Sequence, residues 1–203
     1  FVPGEVVFKG SGFGHFYNAL TNKAPKHLEF FEADDSRGFS ELLNGGTLAF
    51  NTSFAFGEET ERLLDANKNK PDWQISYQKA LLLYDRRDFK AAKEFCEKSF
   101  IFDNNSLQNH LYAHILYCLC DDAFVYFAKK AIKLDPNNYS LCESLTTLLL
   151  KGEKYADVLS CRELFGENIR SLPRIRMYIS KALLETENPK EAEEILISNG
   201  GLK

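Results

Sequence analysis

Downstream of Pro71 the same arrangement of small, aromatic and helix-stopping residues recurs at intervals near 34 positions. Aligning residues 88–92, 153–158 and 188–192 puts Ala92, Val158 and Ala192 in register, the last two 34 apart. Stepping back 34 from Val158 reaches Phe124, and a further 32 reaches Ala92, so four units fit with a two-residue shortening between the first pair. A period of this length marks a helix-turn-helix array, in which no unit buries its apolar face alone and stacking is obligatory.

Each unit has a small residue where its second helix crosses the first, an aromatic where the turn closes, and a stop. Tyr77, Ala80, Leu83, Phe89, Ala92 and Phe95 form the first unit, which stops at Asp103-Asn104-Asn105. His110, Ala113, Tyr117, Phe124, Phe127 and Ala131 form the second, ending at Leu134-Asp135-Pro136-Asn137-Asn138. Pro136 has no amide to donate and disfavours helical geometry at Asp135, so the chain must turn there. Leu145, Leu149, Tyr155, Val158 and Phe165 belong to the third unit; Ile179, Leu183, Ala192, Ile195 and Leu196 belong to the fourth, with a glycine stop at Asn199-Gly200-Gly201.

Upstream the character changes. Residues 1–70 read as a glycine-rich segment with short β-prone runs at 5–9, 28–32 and 47–50 and a short helix at 58–66, and residues 71–203 as the helical repeat domain. The polar stretch 67–72 marks the joint. The expected fold is mainly α, a solenoid of about four helix pairs with a small mixed α/β N-terminal segment. The chain opens Phe1-Val2-Pro3 with no initiator Met and no signal-peptide pattern, which suggests a piece of a longer protein.

Residues 74–199 resemble tetratricopeptide repeats, best in residues 128–138 (AKKAIKLDPNN) and in Lys151-Gly152-Glu153-Lys154-Tyr155. The match is degenerate: Ala80, His114, Thr146 and Ser180 stand at the usual first-helix glycine, and Phe124 replaces a small residue. The resemblance implies an α-solenoid whose concave groove binds rather than catalyses. It also implies a groove lined by Tyr77, Leu81, Tyr84, Leu111, Tyr112, Ile115, Glu143, Thr147, Met177 and Lys181. Repeats of this family that clamp a peptide carboxyl terminus carry Lys, Asn and Arg there; Tyr77, Leu81, Leu111 and Ile115 disfavour that ligand. An apolar groove must be covered, by a protein partner or by residues 1–66 of the same chain.

Other chemistries fit the sequence less well. A formal charge of -4 and a pI of about 5.7 argue against a nucleic-acid partner. No apolar stretch approaches the roughly 20 residues of a membrane span. The five cysteines, Cys96, Cys118, Cys120, Cys142 and Cys161, form no Cys-x-x-Cys pair and lie in segments that read as helices, where free Cys is a small buried hydrophobe. A reducing, cytoplasmic location follows. His110 and His114, four apart, face the same side of a helix, but Leu111 stands where a His-Glu-x-x-His protease has its base and no third ligand is near, so packing rather than metal is expected. Gly10-Ser11-Gly12-Phe13-Gly14 lacks both the dinucleotide fingerprint, since His15 follows, and the Gly-Lys-Ser/Thr of a phosphate loop. No cofactor is expected. Acidic residues between Glu29 and Glu61 could include a glycosidase pair only if two carboxylates met at a set separation, and exposed acids are the default.

The glycine segment after a strand, the repeats and the closing Ser198-Asn199-Gly200-Gly201-Leu202 also resemble parts of large bacterial proteins. Those join a β-rich, carbohydrate-enzyme-like domain of unknown function to such repeats. Two functions are therefore expected to compete: a non-catalytic interaction module, or the helical companion of a carbohydrate-active enzyme whose site lies mainly elsewhere.

Overall fold

The computed structural model describes residues 64–66 and 73–197. Among them the chain is mainly helical and contains no strand. The helices are α1 (Trp73–Asp85), α2 (Phe89–Phe100), α3 (Ser106–Cys118), α4 (Phe124–Leu134), α5 (Tyr139–Lys151), α6 (Tyr155–Arg162), α7 (Glu167–Arg170), α8 (Pro173–Glu185) and α9 (Pro189–Ile197). Residues 64–66 are helical, the end of the short helix expected at 58–66. The rest of segment 1–70, with its three β-prone runs, and the glycine stop at 199–201 lie outside the described residues. Among the described residues no helix is long and apolar enough to cross a membrane.

The chain divides into two compact units between Asn104 and Asn105. In the first, α1 packs along α2. In the second, α3 packs on α4, α5 on α6 and α8 on α9, and each first helix also meets the next: α3 touches α5, and α5 touches α8. Second helices are linked too. Lys129 on α4 pairs with Asp157 on α6 at 2.5 Å, and Arg162 on α6 with Glu191 on α9 at 2.8 Å.

One backbone device recurs in all four helix pairs. Arg87, Cys120, Glu153 and Glu187, each just past a first helix, have φ of 63°, 56°, 56° and 62°. The left-handed region costs a side-chain-bearing residue roughly 1–2 kcal/mol, so two backbone hydrogen bonds must hold each one there. The amides of Asp88, Asp121, Lys154 and Asn188 reach back to the carbonyls of Leu83, Leu116, Leu149 and Leu183 at 2.8–2.9 Å. Those of Arg87, Cys120, Glu153 and Glu187 bond Tyr84, Tyr117, Leu150 and Leu184 at 2.9–3.2 Å. These are Schellman stops without glycine. They fall 33, 33 and 34 residues apart, and the accepting residue is Leu in every pair.

This spacing corrects the sequence register of the second pair. Counting back seven from each left-handed residue gives Ala80, Ala113, Thr146 and Ser180, all buried. The small first-helix residue of the second pair is therefore Ala113, not His114. The 32-residue interval from Ala92 to Phe124 has its own cause. The first turn of α4 is wound with bonds from Phe124, Val125 and Tyr126 back three residues to Asp121, Asp122 and Ala123, at 3.1–3.2 Å. This tighter 3₁₀ winding turns Phe124 rather than Val125 inward. Phe124 packs edge-on against Tyr117, with ring centroids 5.3 Å apart, and its ring covers the Cα of Gly152, where a Cβ would lie 2.7 Å from Cζ. The bulky residue at a usually small place is thus balanced by an absent side chain in the next pair.

The asparagines of the stops cap the helices that follow them. Asn105 and Gln108 form a capping box on α3, and Asn138 caps α5 after the Pro136 turn. The short α7 was not expected; Gly166 opens it and donates its amide to the Pro136 carbonyl at 3.0 Å, tying the α4–α5 turn to the end of the third pair. Cys96, Cys142 and Cys161 are buried, and burial holds their thiols in the protonated form, Cys142 and Cys161 pushed up to about 12. Cys120 departs from expectation: it is exposed and sits in the left-handed turn, not in a helix.

Candidate functional site

Positions ten, six and three residues before the left-handed turn lie on one side of each first helix, because i, i+4 and i+7 share a helix face. The turns assign them as Tyr77, Leu81 and Tyr84 on α1; His110, His114 and Tyr117 on α3; Glu143, Thr147 and Leu150 on α5; and Met177, Lys181 and Leu184 on α8. Seven of the ten residues expected from sequence, Tyr77, Leu81, Tyr84, Glu143, Thr147, Met177 and Lys181, hold these positions on their helices. Leu111, Tyr112 and Ile115 do not. Leu111 and Ile115 follow from the one-residue register offset, and Tyr112 packs edge-on against Phe127 of α4 at 4.6 Å, within the α3–α4 contact. His110 and His114 are the face residues that sequence alignment missed, and the Leu83, Leu116, Leu149, Leu183 series is the signal that would have found them.

On α1, Tyr77, Leu81 and Tyr84 are all buried. The Tyr77 ring lies 5.8 Å from Trp73, and its hydroxyl is buried with no hydrogen-bond partner. Burial raises that hydroxyl's pKa far above its usual value.

In the second unit the line changes from closed to open. His110 and His114 are buried, with ring centroids 4.8 Å apart. Both Nε2 atoms lie 3.0 Å from the Ser144 hydroxyl on α5. A hydroxyl has one proton, so Ser144 donates to one ring at most, and the other ring carries its proton on Nε2 and donates to the serine. Burial drives both rings toward the neutral form: His110 lies well below the usual histidine value, with the neighbouring His114 adding to the effect, and His114 falls to about 3, with Lys151 adding to it. Both rings sit on one hydroxyl, and through it the triangle ties α3 to α5.

One step along, Glu143 forms an ion pair with Arg174 of α8, carboxylate oxygen to Nε 2.8 Å, and that Nε donates its hydrogen to the Tyr178 hydroxyl at 2.9 Å. Thr147 is half-buried. At the last pair the face is open: Met177 and Leu184 keep 44% and 56% of their surface, and Lys181 between them is exposed.

A separate cleft of about 340 Å³ lies at the ends of α6, α7 and α9 against α8, with Arg162, Arg170, Arg176, Glu163 and Glu167 in its wall. Its arginines brace helix ends. Arg170 donates to the carbonyls of Phe165 and Glu163 at 2.9 and 3.2 Å, Arg176 to that of Ile195, and Arg162 pairs with Glu191. Cations over unsatisfied carbonyls at a helix C-terminus stabilise it, which accounts for their placement. Among the described residues no three potential metal ligands gather. Comparison of the chain with protein-family models, curated proteins and solved structures gives no match.

Proposed function

We propose that the chain is a non-catalytic interaction module of the tetratricopeptide type, an α-solenoid in which the face carried by the first helices α3, α5 and α8 engages a protein. The observation that carries this reading is the set of four Schellman turns 33, 33 and 34 residues apart, each with a buried small residue seven positions earlier. Such regularity repeats one face at each step along an array, and repeated faces serve extended recognition better than a single reaction centre. The contact of both His110 and His114 with Ser144 supports the same reading, since among the described residues this grouping is occupied in packing.

A photo-crosslinking residue placed at Thr147 or Leu184 tests it in extracts of the native cells, with controls at Glu94 and Lys133 on second helices. The same discrete protein is expected from both first-helix positions and not from the controls. Equal labelling from all four, or labelling from the controls alone, would contradict it.

A further inference from the structure

We infer that the open end of the face, on α8, docks an acidic amphipathic helix of another protein; this rests on the interaction reading above. Met177, Lys181 and Leu184 stand at i, i+4 and i+7, an exposed cation between two exposed apolar side chains. At about 1.5 Å of rise per residue the two apolar groups are roughly 10 Å apart along the axis. A second helix with apolar residues at i and i+7 and a carboxylate at i+3 or i+4 has the same spacing. A strand covers about 10 Å in three residues, and residues three apart point to opposite faces, so an extended peptide does not match. Charge selects the sign of the partner. Glu143 is neutralised by Arg174, whereas Lys181 makes no ion pair among the described residues. The remaining positive charge calls for a carboxylate, although the chain as a whole is acidic at -4.

Met177 is the chain's one methionine, so its ¹³C-labelled methyl gives a single resonance located on the proposed surface. Two synthetic 16-residue helical peptides serve as probes, identical in their Leu pair and carrying Glu or Lys between them. The Glu peptide is expected to shift the Met177 signal to saturation and to bind about fivefold more tightly than the Lys peptide, the ratio expected of an exposed ion pair near the upper end of its range. Lys181→Glu should invert that preference, and Leu184→Ser should weaken the Glu peptide about tenfold through lost apolar burial. Both substitutions are at exposed positions and should leave helicity unchanged. Equal binding of the two peptides, a preference that survives Lys181→Glu, or a signal that moves only with the protein's own concentration and so reports a second copy, would each overturn the inference. If a native partner still crosslinks from Leu184 in any of those cases, the acidic helix is wrong and the interaction reading stands; absence of crosslinks from both first-helix positions removes the latter.

Discussion

α3 and α8 occupy the same place in their helix pairs and end in the same left-handed turn, yet α3 is buried without a break from Gln108 to Leu116 while α8 shows Met177, Lys181 and Leu184 to solvent. The backbone of the repeat therefore does not decide what its face does. Side chains and cover decide it: on α3 the face includes two neutral histidines locked on Ser144, and on α8 it is a thioether, an ammonium and an isobutyl group, all exposed. Within one unit the same surface is structural at one end and available at the other.

The sharpest way to break this comparison is to truncate one apolar side chain in each helix. Ile115→Ala on α3 removes a fully buried side chain and should cost about 2–5 kcal/mol, whereas Leu184→Ala on α8 should stay within about 0.5 kcal/mol. Urea unfolding of both variants measures the contrast, and similar losses would end it.

Acid tests the closed end. Each histidine is neutral when folded and has a value near 6.5 when unfolded, so below that pH the unfolded chain binds protons that the folded chain refuses. Stability from this source is intact above pH 6.5 and is lost as the pH falls toward 3. The slope approaches about 1.4 kcal/mol per pH unit for each ring that refuses its proton when folded. Urea midpoints between pH 7 and 5 should fall accordingly, and His114→Gln should remove about one proton from the linkage. An unchanged slope in the variant would show that the pair is solvated.

Gly152→Ala should cost about 1–3 kcal/mol, although Gly152 has an ordinary φ of −84°, because the new methyl meets the Phe124 ring. Adding Phe124→Leu should recover part of that loss, and thermal melts of the single and double variants read the coupling. The smallest effect is expected on α1. Tyr77→Phe removes a buried hydroxyl that has no partner and should be neutral or stabilising by about 1 kcal/mol; a clear loss in the melting temperature would reveal a hydrogen bond at that oxygen.

Much of the helical layout was legible beforehand. The 3.6-residue periodicity, the stops at residues 103–105 and 134–138 and the Pro136 turn place the helix pairs among the described residues. The turn signal was harder to read because Arg87, Cys120, Glu153 and Glu187 occupy a conformation that normally advertises itself with glycine. Without that marker, alignment on Phe124 and His114 slid the second pair by one residue and moved its face from His110 and His114 to Leu111 and Ile115. What covers the first helix comes from residues distant in sequence, so the local pattern does not name it. The α8 stripe was legible as spacing, but its exposure was not.

The gradient of cover is tested most directly by cysteine accessibility. His114→Cys, Thr147→Cys and Lys181→Cys, each made with Cys118 and Cys120 replaced by Ser, occupy equivalent places on α3, α5 and α8. With a thiol-reactive disulfide under native conditions, the cysteine at 181 should react as fast as in an unfolded peptide, that at 147 more slowly, and that at 114 at least about 100-fold more slowly, at the rate of local opening. Equal rates at the three positions, or protection at 181 matching that at 114, would contradict a face that is closed at α3 and open at α8.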